Sequence, residues 1–458
     1  FVSGFEAIKA ENDSEKKQKM LDDLNGLMRN FQENYLMTAR DFAQWGAYED
    51  AVLVLKQCTK KYPMLYYYAA YYEEKMGEDE AAKKSLEKAE SCAFDYCFPN
   101  KLDDIAVLTF AIENGCKKKA PYYLGNLFYD KLQWKKSVEL WEMSEKADDT
   151  FSIVHRNLAL AYYNKMGDSK AAKRELEKAF SLNRKDARIF LELDQLYKKL
   201  GYSFKERLAK YDEDPSLAES RDDLYIEYIT LMNMCGEYER AYRCIMGRRF
   251  HPWEGGEGKI TTQYTISLLE MAKQCLASEK YEQAEKLLKK ALVYPENLGE
   301  GKLEGTKDNH LFYHLGLALE AQGKHDEAKT CFETATIGTD EPAGAMYYND
   351  QPADMILYQG LAFEKLGKTR EAKSRFYRLI DYGEQHLNDE GKIEYFAVSL
   401  PDFLIFDEDY TKKNRAHCCY LMALGNIGLQ NREKAAEFLN EALEIEPSHM
   451  MATLYQKQ

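Results

Sequence analysis

The chain has 458 residues, 45% of them hydrophobic and 31% charged, with a formal net charge of −14. An acidic balance of this size repels phosphate backbones and anionic lipid, so nucleic acid and membrane are excluded as partners. No apolar run reaches the length a bilayer demands. A chain this long outgrows one simple core unless it is built from repeats.

From the amino terminus, Phe1 to Arg29 is densely charged with sparse apolar positions, and residues 1–30 are expected to form one capping or connecting helix. The chain opens on Phe1 with no initiator Met, basic leader or apolar signal core, which leads us to expect a fragment of a longer protein. A mature form cut from a precursor is the alternative.

Beyond residue 30 a small residue is followed four positions later by a large apolar one, nine times over. The pairs are Ala51/Leu55, Ala82/Leu86, Ser137/Trp141, Ala172/Leu176, Ala241/Ile245, Ala284/Leu288, Ala328/Phe332, Ala372/Phe376 and Ala435/Leu439. Seven after the first position a small residue usually returns, as at Ala89, Ser144, Ala179, Ala291, Ala335 and Ala442. Steps of four and then three keep all three on one helix face. The small residue lets a neighbouring helix approach, and the large one fills the groove beside it. Each unit then buries its apolar face against its neighbours alone, with no central core.

The array is expected over 31–247 and 260–458, separated by a loop at 248–259 rich in Trp, Gly and Glu. Within the first part, 94–119 carries an extra helix near Lys101–Asn114. A degenerate unit fits between Ala172 and Ala241, with a first helix near Ala187–Leu200 and Arg207 at the place of the small residue. The second part is interrupted by long loops at Pro295–Asn309 and Thr336–Gln351 and by an irregular stretch at Asp381–Asn414. Loops of this length are either functional or disordered. The ten cysteines include no C-x-x-C pair. Several sit in apolar helix positions, so reduced thiols in a cytoplasmic protein are expected.

These positions resemble the tetratricopeptide repeat from about Asn34 to Pro447. Leu315-Gly316, Leu319, Gly323, Ala328, Phe332 and Ala335 match its signature, as do Leu124-Gly125, Phe128, Ser137 and Trp141. Gly46-Ala47-Tyr48 and Gly236-Glu237-Tyr238 match the turn between the paired helices. Pro63 and Pro447 fall where the repeat ends its second helix. The resemblance implies an all-α fold: an α-solenoid of about ten helical hairpins wound as a right-handed superhelix, with first helices lining the concave face.

On that face Tyr122, Asn126, Tyr129, Arg156, Asn157 and Tyr163 form a mixture of amides, rings and one guanidinium able to grip an extended peptide. A solvated polar face is the plainer alternative. The carboxylate clamp of some tetratricopeptide domains finds only Asn126 and Asn157 in place; Glu192, at the clamp's Arg position, would repel a carboxylate. In the 248–259 loop, Trp253 stands beside Glu254, Glu257 and Lys259. Glu300, in the next loop, lies within Gly299-Glu300-Gly301-Lys302, a copy of Gly256-Glu257-Gly258-Lys259. A Trp face with flanking carboxylates is one way to hold a sugar; the alternative is that Trp253 plugs an apolar gap. A P-loop is excluded, because Trp253 and Ile260 occupy its obligatory Gly and hydroxyl positions. His310 and His314 are spaced to chelate, but no third ligand is evident, and both are read as polar surface. No catalytic residue, metal or cofactor is expected.

The segments 251–258, 294–301 and 351–355 together resemble the C-terminal helical half of large bacterial proteins of uncharacterised function. In these an aldose-epimerase-like β-rich half precedes the helices. That resemblance implies a sugar-related parent but transfers no catalytic residue. The leading expectation is a protein-interaction scaffold whose partner is a protein or peptide, its own missing N-terminal half included. The alternative is an accessory half of a carbohydrate-active protein, with a sugar site around Trp253 and Glu300.

Overall fold

The computed structural model describes residues 1–253, 255–342, 351–391 and 405–457, and every regular element among them is helical. Glu254 and parts of two expected interruptions, 343–350 and 392–404, lie outside the described residues. The chain divides into two compact units, Phe1–Asn183 and Arg184–Gln458.

The first unit contains α1 (Val2–Ala10), α2 (Ser14–Met28), α3 (Gln32–Gln44), α4 (Tyr48–Gln57), α5 (Pro63–Lys75), α6 (Asp79–Ser91), α7 (Leu102–Glu113), α8 (Lys119–Asp130), α9 (Trp134–Ala147), α10 (Ser152–Ala161) and α11 (Ser169–Leu182). The second contains α12 (Ala187–Lys199), α13 (Phe204–Asp212), α14 (Pro215–Glu219), α15 (Asp222–Met234), α16 (Tyr238–Met246), α17 (Lys259–Ala277), α18 (Tyr281–Ala291), α19 (Asn309–Ala321), α20 (His325–Ala335), α21 (Met355–Lys365), α22 (Thr369–His386), α23 (Tyr410–Gly428), α24 (Arg432–Ile445) and α25 (Met450–Gln456). Helices α3/α4, α5/α6, α8/α9, α10/α11 and α12/α13 pair as hairpins. So do α15/α16, α17/α18, α19/α20, α21/α22 and α23/α24, giving the ten hairpins expected among the described residues.

All nine small residues and all nine large partners are buried. The contact is closest where the first helix supplies glycine. A methyl group on Gly125 would lie 2.5 Å from the Trp141 ring, and one on Gly316 2.5 Å from Phe332. On Gly360 it would lie 2.2 Å from Phe376. The large residue of the second helix therefore seats on bare backbone, and even Ala is too big there. A left-handed residue closes most of the turns: Gly323 and Gly367 at φ +77° and +75°, but Leu132, Glu279 and Gln430 at about +60° in three other hairpins.

Four features differ from the sequence expectation. The amino-terminal segment is two helices, because Asp13 caps α2 by accepting the Lys16 N–H at 2.9 Å. The Asp381–Asn414 interruption is shorter than expected: α22 runs on to His386 and α23 begins at Tyr410. The degenerate hairpin replaces its small residue by a buried ion network. Arg207 donates to both Asp194 oxygens on α12, at 2.9 and 2.6 Å, and to Glu227 on α15 at 2.5 Å. Burial opposes ionisation of Glu227, yet Lys198 and Arg207 hold its carboxyl below the usual range.

The fourth difference is non-local. Leu454 of α25 packs with Met234 of α15 and Ile266 of α17. Lys457 donates to the Met234 carbonyl, 223 residues away in sequence. Tyr455 donates to the Tyr358 hydroxyl on α21 at 2.7 Å. The second unit thus closes on itself through its last helix, where neighbour-only burial was expected.

Candidate functional site

In the first unit, the first helices α8 and α10 bring three of the named polar residues together. The Asn126 side-chain oxygen accepts from Trp141 Nε1 at 3.1 Å and from Asn157 Nδ2 at 3.0 Å. Arg156 donates to the Asn157 oxygen at 3.3 Å. Trp141, the large residue of the α8/α9 hairpin, thereby aims an inner-face amide as well as filling the core. Tyr122 is buried among Phe94, Tyr123 and Phe151 at the edge of this row, its carbonyl accepting from Trp141 Nε1 at 3.2 Å. Burial raises its hydroxyl pKa, opposed by Asn126. Tyr129 lies against Trp134 and Trp141. Tyr163 falls in a π-helical turn, Tyr162–Met166, that widens the end of α10.

In the second unit the two copied loops meet. Glu300 accepts the Gly258 N–H at 2.8 Å, and Gly258 is the residue from which α17 starts. Asn297 bonds the carbonyls of Ile245 and Arg248 at 2.9 Å each, while Phe250 donates to the Asn297 carbonyl at 2.8 Å. Trp253 is half-buried over Gly256, where a methyl group would lie 2.3 Å from the indole. Lys259 lies 5.6 Å from that ring, and burial lowers its pKa. Glu257 accepts the Gly255 N–H at 2.8 Å. Burial raises the Glu300 carboxyl, against the Gly258 hydrogen bond. The Gly258–Glu300 bond between the two Gly-Glu-Gly-Lys copies therefore fastens loop to loop.

His310 and His314 are not ordinary polar surface. Burial pushes both imidazoles down to about 3, and the Tyr358 ring lies 5.9 and 5.6 Å from them. The cluster of potential metal ligands among the described residues is elsewhere, at Glu145, His155 and Glu175, with ligand atoms within 4.8 Å of one another. Both His155 nitrogens are engaged at 2.8 Å, with Glu175 and with the Asp149 carbonyl. Burial would lower His155, but these contacts carry it above its usual value. Arg174 closes on Glu175 at 2.7 Å. Both nitrogens donate, so the cation between these carboxylates is the imidazolium itself. Sequence reasoning missed this network and the Arg207 network, because pairs 13 to 20 residues apart leave no periodic signal.

Tetratricopeptide-repeat family models match residues 157–186, 310–336, 354–382 and 416–449. Four segments of this chain are tetratricopeptide repeats. They coincide with α10/α11, α19/α20, α21/α22 and α23/α24. Among solved structures, the tetratricopeptide domain of P58(IPK) aligns at 11% identity over 100% of this chain and 98% of that one, with a TM-score of 0.27. A tetratricopeptide repeat protein from Parabacteroides merdae ATCC 43184 aligns at 18% identity over 63% of this chain and 98% of that one, again at 0.27. YrrB, described as having an unusual peptide-binding site, aligns at 18% over 56% of this chain and 100% of that one, at 0.20. The repeat assignment rests on the matched segments and the hairpin geometry. No helix among the described residues is long and apolar enough to cross a membrane.

Proposed function

We propose that this chain is a protein-interaction scaffold that holds an extended peptide against the inner helices of its first unit, through Asn126, Arg156 and Asn157. The observation that carries this reading is the 3.0 Å bond between Asn157 and Asn126, which ties adjacent first helices by their side-chain amides. Each amide has two donors and two acceptor lone pairs, more than these contacts consume. A pre-aimed amide row costs little ordering entropy when a peptide backbone docks. Panning a displayed peptide library on the full chain tests it. Enriched peptides should lose binding to the Asn126→Ala/Asn157→Ala variant; equal capture by both proteins, or no enrichment, would reject the reading. The ten cysteines, all unpaired, support a reducing cytoplasmic setting.

The partner in this reading includes the upstream half of a longer bacterial protein, for which co-elution of the two separately made halves is the test. A second reading, an accessory sugar site, is supported by the meeting of the two loops, which sets Trp253, Glu257, Lys259 and Glu300 on one fastened segment. Glu254 belongs to the same proposal by sequence. Trp fluorescence titrated with a sugar panel should then respond in the native protein and not after Trp253→Ala.

A further inference from the structure

The helix that closes the second unit starts from an unusual cap. Helix α25 has seven residues, too few to hold helical form alone in water, so its docking and its cap maintain it. The N-cap is His449, whose Nδ1 accepts the Ala452 N–H at 3.1 Å. A backbone amide can only donate, so this bond fixes the ring as neutral, with the lone pair on Nδ1. Ser, Thr, Asp and Asn are the usual residues here, and none of them loses its acceptor between pH 5 and 8. A proton on His449 Nδ1 removes the acceptor and sets a positive charge at the positive end of the helix.

The neighbours of His449 offer that charge little compensation. Its ring lies 4.9 Å from Tyr420 of α23, and His417 of α23 lies 6.4 Å from the same tyrosine. Burial pushes both imidazoles down to about 4, and His449 adds to the effect on His417. Glu446, just past α24, offsets it only in part at His417. Along the rest of α25, Gln263 of α17 meets Met450, and Tyr358 and Asp354 of α21 act on Tyr455. Lys457, at the far end, donates to the Met234 carbonyl. Burial raises the Asp354 carboxyl to about 6, but its hydrogen-bonding partners are Tyr420 and the backbone of α21 rather than α25.

We propose that α25 is a pH-released strap: neutral His449 caps it in place, and protonation of His449 frees it and opens the inner face around Met234, Ile266 and Tyr358. The docked ring titrates at about 4, and the freed ring at its ordinary value of about 6.5. The cap's contribution is therefore complete above about pH 6.5 and is lost as pH falls toward 4. Between pH 7.5 and 5.5 this linkage shifts the strap toward the released state by about tenfold. The Leu454 packing and the Tyr455–Tyr358 bond carry no charge that resists the shift. The inference concerns the second unit and stands apart from the amide row of the first.

Hydrogen exchange on the full chain at pH 7.5 and pH 5.5, corrected for intrinsic rates, tests it. The comparison is with His449→Asn, which keeps a capping acceptor that does not titrate and leaves Asp354 and His417 in place. Relative to that variant, the native α25 should lose about tenfold in protection on acidification, with the inner amides of α15 following and α23 and α24 remaining protected. His449→Ala, with no acceptor, should be looser than the native strap by about fivefold already at pH 7.5. Equal responses of the native protein and His449→Asn, a loss spread evenly over α23 and α24, or native protection of α25 in His449→Ala would each overturn the proposal.

Discussion

The two units share one hairpin but differ in what lies on their inner helices. In the second, α25 returns to α15, α17 and α21, so that Leu454 and Tyr455 are buried and the inner surface near Met234 is occupied by the chain itself. In the first, no such helix returns among the described residues. Its inner surface keeps the Asn126–Asn157 amide row, with Met37 and Phe98 exposed. The same helical grammar thus yields a self-engaged unit and an open one, and the difference comes from one seven-residue segment rather than from the repeats.

The largest expected effect breaks the comparison at the degenerate hairpin of the second unit. Among the described residues, Arg207→Met removes the positive partner bonded to Asp194 and Glu227 and leaves the buried Asp194 carboxylate unmatched, whereas Glu227 keeps the field of Lys198. A loss of about 3–5 kcal/mol is expected, read as faster amide exchange across α12, α13 and α15 with α3 to α11 unchanged. The next strikes the helix that separates the two units in kind. Leu454→Ala should cost the second unit about 2–4 kcal/mol and expose α15 and α17 to exchange. If α15 stays protected, closure by α25 is incidental and the contrast with the first unit dissolves.

The hairpins were legible in the sequence because their physics is local. Small-x-x-x-large spacing, the first-helix glycines and the turn residues all act within about 35 positions, and each left a periodic trace. The unrepeated features were not legible. Arg207 reads as a defect in the repeat until Glu227 is seen beside it. The α25 sequence is too short to signal anything until Met234 meets it. Of the residues named from the sequence, Asn126, Arg156 and Asn157 lie side by side, since adjacent first helices repeat in register. Tyr122 turned into the core because Phe94 and Phe151, from outside the repeat, close over it.

Two middle-sized tests ask whether both units obey one packing rule. Gly125→Ala in the first and Gly316→Ala in the second should each cost about 1–3 kcal/mol, because the added methyl meets a ring that cannot retreat. A difference larger than that range between them would mean that the units pack by different rules. The His155 network offers a pH test confined to the first unit. Hydrogen bonds to Glu175 and the Asp149 carbonyl outweigh burial and raise the folded pKa. The stabilisation is therefore complete below the unfolded value of about 6.5 and is lost as pH rises through the folded value. Urea unfolding should show the first unit weakening from pH 6 to pH 9, with a flatter profile in His155→Gln.

The smallest expected effect has the opposite sign. Gln430 sits between α23 and α24 at φ +61°, where Gly323 and Gly367 stand in neighbouring hairpins. An L-residue in this left-handed region pays for crowding of its Cβ that glycine avoids, although glycine has more freedom to lose on folding. The strain outweighs the entropy, so Gln430→Gly should stabilise the second unit by about 0.5–1 kcal/mol. The same change at Leu132, between α8 and α9, should stabilise the first unit by a similar amount, since its φ is also +61°. Calorimetric midpoints of the two variants measure both. Matched gains would mean that the turns of the two units are equivalent, leaving the inner surfaces as the place where they diverge; a gain at Leu132 alone would mean that α25, packed on α24, already holds the α23/α24 turn against its strain.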